Sequence, residues 1–238
     1  MNKYFSILFL ITFFLLKNSF AQNIYYKTVN DSILPHFKDT ANKIIIINSD
    51  SSLNLKNKFS YVMRFFPKME FESIKIKFRK SQKIATIKPS FPSIFKAPKQ
   101  RTYKIYYSNY SGTAIDSVLL KNLSLNSQLG LIGTQLSRIE DFRTGGFFDF
   151  IAWYFKQLTA KAKNKINYDD EKRELEAGLG YQLLSLRLEK DEKMKIEKWK
   201  NVKGYSNYVK RNINRSMDSY IIKNFVNDLP IYHSQQYK

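Results

Sequence analysis

Apolar positions along this chain change their period partway through. The four isoleucines inside Lys43–Asn48 read as a buried strand or a tight packing segment. Asp50, Ser51 and Ser52 form a capping cluster, after which Leu55, Phe59, Val62, Met63 and Phe66 recur at helical spacing until Pro67 stops the run. Ile74, Ile76 and Phe78 alternate with Lys75, Lys77 and Arg79, which predicts a strand with one solvated face. Tyr103, Ile105 and Tyr107 predict a second such strand, and Asn109–Gly112 a turn after it. Between the strands, Lys88-Pro89, Pro92 and Pro98 argue for an irregular connection.

Past Leu119 the period becomes helical. Leu129, Ile132, Leu136, Ile139 and Phe142 make one stripe, with Asn126 or Ser127 as the candidate cap and Thr144-Gly145-Gly146 as the break. Phe147–Lys163 is an aromatic amphipathic segment. Asp169-Asp170-Glu171 reads as the head of a long helix, where carboxylates favour the dipole. That helix carries Leu175, Leu179, Leu183, Leu184 and Leu186, with Gly178 and Gly180 admitting a close neighbour. A last helix covers Ser216–Phe225. No internal repeat is present. The predicted fold class is α+β: a small N-terminal antiparallel or mixed sheet over about residues 43–108, then a helical half over about 119–226.

The first twenty-one residues stand apart. Lys3 precedes an apolar run from Phe5 to Leu16, and Ser19 and Ala21 supply small residues before Gln22, the pattern of a secretory signal peptide. This twelve-residue run falls short of the about 20 residues that span a bilayer. The expectation is an exported chain, periplasmic or secreted, with residues 22–238 as a single domain and no membrane-spanning segment after cleavage. With no cysteine, its stability must come from the core.

Composition narrows the chemistry. Zero cysteines exclude disulfides, thiolate metal sites and cysteine nucleophiles. The only histidines, His36 and His233, fall in an early loop and a polar tail. There is no G-x-S-x-G elbow, and the adjacent Glu140 and Asp141 point about 100° apart on a helix. The net charge of +20 is uneven: Lys56–Lys104 holds fourteen basic residues against Glu70 and Glu72, a surplus of +12. Such a surplus suits loose attraction to an anionic surface, lipid or glycan. No recognition helix or RNP-like motif accompanies it, so specific nucleic-acid binding is not expected. Enrichment in Lys, Asn, Ile, Phe and Tyr, all encoded by A/T-rich codons, is a plainer origin for part of the charge. The aromatic run from Phe147 to Leu158, with Lys156, Lys161, Lys163 and Lys165 on its C-terminal side, has the composition of an interfacial membrane helix. Packing on the core is the commoner fate of such a stripe.

One segment carries a motif by its departures. Ser127-Gln128-Leu129-Gly130-Leu131-Ile132-Gly133, then Thr134-Gln135-Leu136-Ser137-Arg138, then Asp141-Phe142, resembles the active-site helix of a short secreted gluzincin-like family of zinc metallopeptidases. There H-E-x-x-H places two zinc-binding His one turn apart and a Glu that activates the metal-bound water. Glu171, Leu175 and Ala177–Leu184 are similar to the second helix of that family, where a Glu is the third ligand and an acid four residues on orients a ligand. The resemblance puts those two positions at Asn167 and Glu171. It implies that every ligand and the general base are substituted, since Thr134, Gln135, Arg138 and Asn167 replace them. A guanidinium does not deprotonate, so Arg138 would fill the vacated position beside a carboxylate, Glu171 or Asp170. Alternatively, Thr134 and Arg138 lie on an exposed helix face. The expectation is a catalytically inactive zincin-like protein without cofactor or bound metal. It would keep a peptide-binding or scaffold role through an edge strand at Tyr103, Ile105 and Tyr107. A second expectation, from a different class, is a basic envelope-associated protein that docks on anionic lipid or glycan.

Overall fold

β1 (Ile44–Ile47) is the isoleucine run, and a crossover through helix α1 (Leu55–Met63) lays β2 (Ser73–Arg79) parallel to it. β3 (Ala85–Pro89) and β4 (Thr102–Ser108) complete a mixed four-stranded sheet of order β1-β2-β4-β3. β4 is parallel to β2 and antiparallel to β3. The fold is therefore α+β, with a mixed sheet followed by a helical half. The computed structural model describes residues 26–41, 44–47, 53–69, 73–97, 100–156, 158–194 and 217–233. The expected signal segment, the Asp50–Ser52 cluster and Pro98 lie outside the described residues.

Register explains the alternation. Ile44, Ile74, Tyr103 and Pro89 form one row across the sheet, and Ile46, Ile76, Ile105 and Ile87 the next. Ile74, Ile76, Tyr103, Ile105 and Tyr107 are fully buried. On the opposite face Lys75, Lys104 and Lys88 stand in direct register, and Arg79 and Lys88 both lie over the ring of Tyr106. Like charges directly opposite one another oppose pairing, so the apolar face must hold this sheet together.

Two strand expectations are corrected. β4 is an interior strand, so Tyr103, Ile105 and Tyr107 are not an edge: both sides of β4 are paired and those side chains form the core. Among the described residues the edges are β1 and β3. β3 itself occupies the stretch expected to be irregular. Ser90 N donates to Thr102 O and Ser108 N donates to Ile84 O, so the hydrogen-bonded residues of β3 alternate from Ile84 to Ser90. Pro89 falls between them, with its backbone nitrogen turned away from β4, where a missing N–H breaks no ladder bond.

The helical half comprises α2 (Leu125–Thr144), α3 (Phe147–Lys156), α4 (Ala160–Ala177), α5 (Gly180–Met194) and α6 (Ser219–Asp228). The α2 stripe Leu129, Ile132, Leu136, Ile139 and Phe142 is buried, and Phe142 stacks on Tyr103 with ring centroids 6.3 Å apart, which seats α2 on the sheet. Ser124 is the N-cap of α2, two or three residues earlier than expected. Asn126 instead ties down the N-terminal segment, accepting from Val29 N and donating to Val29 O. Thr159 caps a new helix within the aromatic segment, its hydroxyl accepting from Ala162 N, so Phe147–Lys163 is not one helix. Asp169, Asp170 and Glu171 consequently lie well inside α4 and do not serve its dipole.

The long helix expected through Leu186 is two helices, because Gly178 adopts φ 103° and ends α4. Gly180 does admit a neighbour: a Cβ there would lie 2.6 Å from the Tyr232 hydroxyl. That hydroxyl donates to Leu175 O and accepts from Gly180 N, clasping the turn between α4 and α5. Ser216, the expected start of the last helix, is outside the described residues. Among the described residues no helix is long and apolar enough to cross a membrane.

Candidate functional site

The lead-in to the motif helix is occupied residue by residue with packing. Ser127 is fully buried against the hydroxyls of Ser124 and Ser185. Gln128 accepts from the buried amine of Lys58 at 2.5 Å and donates to Leu123 O, linking α1 to α2. Burial pushes the Lys58 amine below its ordinary value. Gly130 passes against the backbone of Gln182 on α5, and Gly133 makes room for the carboxyl of Glu174 on α4. These small residues let three helices meet closely at the level of Thr134.

One turn further on, α2 and α4 pass in opposite senses, so position 134 meets 174 and position 138 meets 170 and 167. Arg138 Nε donates to Asp170 Oδ2 at 2.6 Å, and Nη2 donates to Asn167 Oδ1 at 2.7 Å. Arg173 holds the other Asp170 oxygen at 2.7 Å and also pairs with Asp141 at 3.2 Å. The Asp170 side chain is fully buried while that of Arg138 is 20% exposed. Burial raises the Asp170 carboxyl above its ordinary value, and the two guanidiniums oppose that rise.

Thr134 Oγ1 lies 3.1 Å from Gly130 O and 2.7 Å from Glu174 Oε2. A hydroxyl has one proton and cannot donate to both. A protonated Glu174 resolves the count: its O–H donates to Thr134, whose own O–H donates to the Gly130 carbonyl. Glu174 is fully buried, its Oε1 has no hydrogen-bond partner among the described residues, and desolvation raises its carboxyl well above the ordinary value. The Thr134 hydrogen bond and Arg187 oppose that rise, and neighbouring Glu171 and Asp170 add to it. Folded protein thus keeps a proton that unfolded protein releases above about pH 4.3, so stability falls as pH rises through that window. Glu174→Gln, which is neutral and of the same shape, should match the parent in thermal unfolding near pH 4 and exceed it at pH 8. Some slope should remain, because burial raises Asp170 and Glu171 in the same direction.

Of the expected site residues, Thr134, Arg138 and Asn167 converge on one face, and Asp170 is the partner of Arg138. Gln135 is buried beside them in α2. Glu171 does not join. It pairs with Arg187 at 2.8 Å and accepts from Met217 N, because adjacent helical residues point about 100° apart. The carboxyls spaced by four that face positions 138 and 134 are Asp170 and Glu174, three residues along from the expected Asn167 and Glu171. Sequence reasoning missed Glu174; its signal was the Asn167, Asp170, Glu174 spacing of three and four, one stripe of a helix. His36 and His233 are remote from these helices in the chain, and His233 contacts Asn227 O. Among the described residues no three His, Cys, Asp or Glu side chains are grouped to hold a metal ion. No protein family, curated protein or solved structure matches this chain.

Proposed function

We propose that this is an exported zincin-like protein in which a polar clasp has replaced the metal centre, leaving a peptide-binding or scaffold role without hydrolysis. The observation that carries the reading is Arg138, held between Asp170 and Asn167 at the position where the resembled motif has its second His. The spacing supports it as well. An acid facing position 138 and another four residues on, facing position 134, reproduce the relation of third ligand and orienting acid in that family. A fixed cation in place of a ligand excludes a second cation, and Gln135 cannot accept a proton from water.

Peptide capture would fall to β3 rather than β4. β3 is the antiparallel edge strand and packs beside α2, and its outward backbone groups at Ala85 and Ile87 are those an extended peptide can pair with. Two assays test the proposal. Casein-type substrate should survive prolonged incubation with the protein and zinc, and chelator-sensitive hydrolysis would overturn the reading. Thr134→His/Arg138→His, which leaves Asp170 as third ligand, should take up about one zinc per chain. A correctly folded double variant that binds no zinc would mean that these helices do not have zincin geometry.

A further inference from the structure

Two aromatic segments more than fifty residues apart in the chain meet at one surface. Phe91 and Phe95 lie in the connection after β3, and Phe95 stacks on Phe147 of α3 with centroids 5.2 Å apart. Phe147 in turn meets Phe148 edge-on at 5.5 Å. The junction is built in. Arg101 is buried, donates to Lys96 O, and donates again to Phe142 O and Gly145 O. It therefore pins the Phe91–Lys96 segment to the turn between α2 and α3. One side of α3 is anchored, with Phe150 and Trp153 packed against Phe142. The rest is not covered: no residue of α3 is fully buried, and Phe91, Phe95, Phe148, Tyr154, Phe155 and Leu158 are between 61% and 81% exposed.

We infer that this aromatic surface is a docking face for a bilayer containing anionic phospholipid. Contiguous exposed aromatic patches mark interaction surfaces, and aromatic rings settle at the headgroup level. The charge complements anionic lipid. Lys96, Lys156 and Lys161 are exposed in or beside the aromatic segments, and Asp149 is the one acid in α3. The same lysines oppose a second copy as the occupant, since they would face like charge across the contact. This docking is independent of the clasp between α2 and α4.

The test is co-sedimentation of the purified protein with vesicles of phosphatidylcholine alone or mixed with phosphatidylglycerol. The expected result is binding to the mixed vesicles at low salt, weaker at high salt, and little binding to phosphatidylcholine alone. Phe148→Ser/Phe155→Ser should weaken it about tenfold with unchanged circular dichroism and Tm, since both rings are exposed. The chain has no cysteine, so Phe148→Cys carrying a polarity-sensitive dye should report an apolar environment on docking, and Tyr220→Cys on α6 should not. Absent binding to mixed vesicles at low salt, or a serine variant that binds as the parent does, overturns the inference. Self-association of the parent that the serine variant abolishes would also overturn it, in favour of a second copy.

Discussion

Arg138→Ala is expected to lower the free energy of unfolding by about 3 kcal/mol, and Tm by about 9 °C. The cost arises from what is left behind. Asp170 stays fully buried and loses the guanidinium that donates to Oδ2, while Asn167 loses its charged donor. Removal of one partner from a buried pair costs about 3–5 kcal/mol, and the lower end applies because Arg173 still holds Oδ1 and Arg138 is partly exposed. Denaturant unfolding of Arg138→Ala, Asp170→Ala and the double variant separates the pair from its surroundings, and a coupling well above 1 kcal/mol is expected. Arg138→Met/Asp170→Leu, which replaces both charges with apolar groups, should regain most of the loss. Additive single effects, or a loss below about 0.5 kcal/mol for Arg138→Ala, would place Arg138 with ordinary surface pairs.

Gly130→Ala is the second large effect. A Cβ at this position would stand 2.4 Å from the Gln182 carbonyl oxygen and 2.7 Å from its carbonyl carbon, both backbone atoms of α5. Neither can rotate away, so α2 and α5 must separate. Alanine would gain about 1 kcal/mol of helix propensity, yet the overpacking should leave a net loss of about 2 kcal/mol or more. Gly146→Ala is the control. Its nearest neighbour would be Asp149 Oδ2 at 3.6 Å, and its effect should stay within about 0.5 kcal/mol. Urea unfolding of both variants checks the pair, and a Gly130→Ala protein as stable as its parent would refute the close approach of α2 to α5.

Periodicity located most elements because burial writes directly into it. The Ile74–Phe78 and Tyr103–Tyr107 alternations and the α2 stripe each point at one apolar face, and each forms the expected element. What sequence could not supply was pairing order. Tyr103, Ile105 and Tyr107 alternate as an edge strand does, but the solvated positions of β4 are occupied by Lys104 and Tyr106 beside other cations, so alternation marks a half-wet interior strand equally well. β3 was concealed by Pro89, whose effect depends on which way its nitrogen faces.

The site was legible where small or polar residues have packing duties. Ser127, Gln128, Gly130 and Gly133 each answer to a neighbour from another helix. The carboxyls that face α2 lie three residues from the expected Asn167 and Glu171, because Asn167, Asp170, Glu171 and Glu174 all lie on adjoining faces of α4. Only the position of α2 decides which of them turn inward. Glu171 is as buried as a site residue, yet it closes on Arg187 and Met217.

Metal content tests the central claim most directly. The purified protein is incubated with excess zinc, desalted, and assayed for zinc per chain beside Thr134→His/Arg138→His. An arginine clasp in place of the metal centre predicts far less than one zinc in the parent and about one in the histidine variant. One tightly held zinc per parent chain, released by chelator, would contradict the account and return the protein to the enzymes.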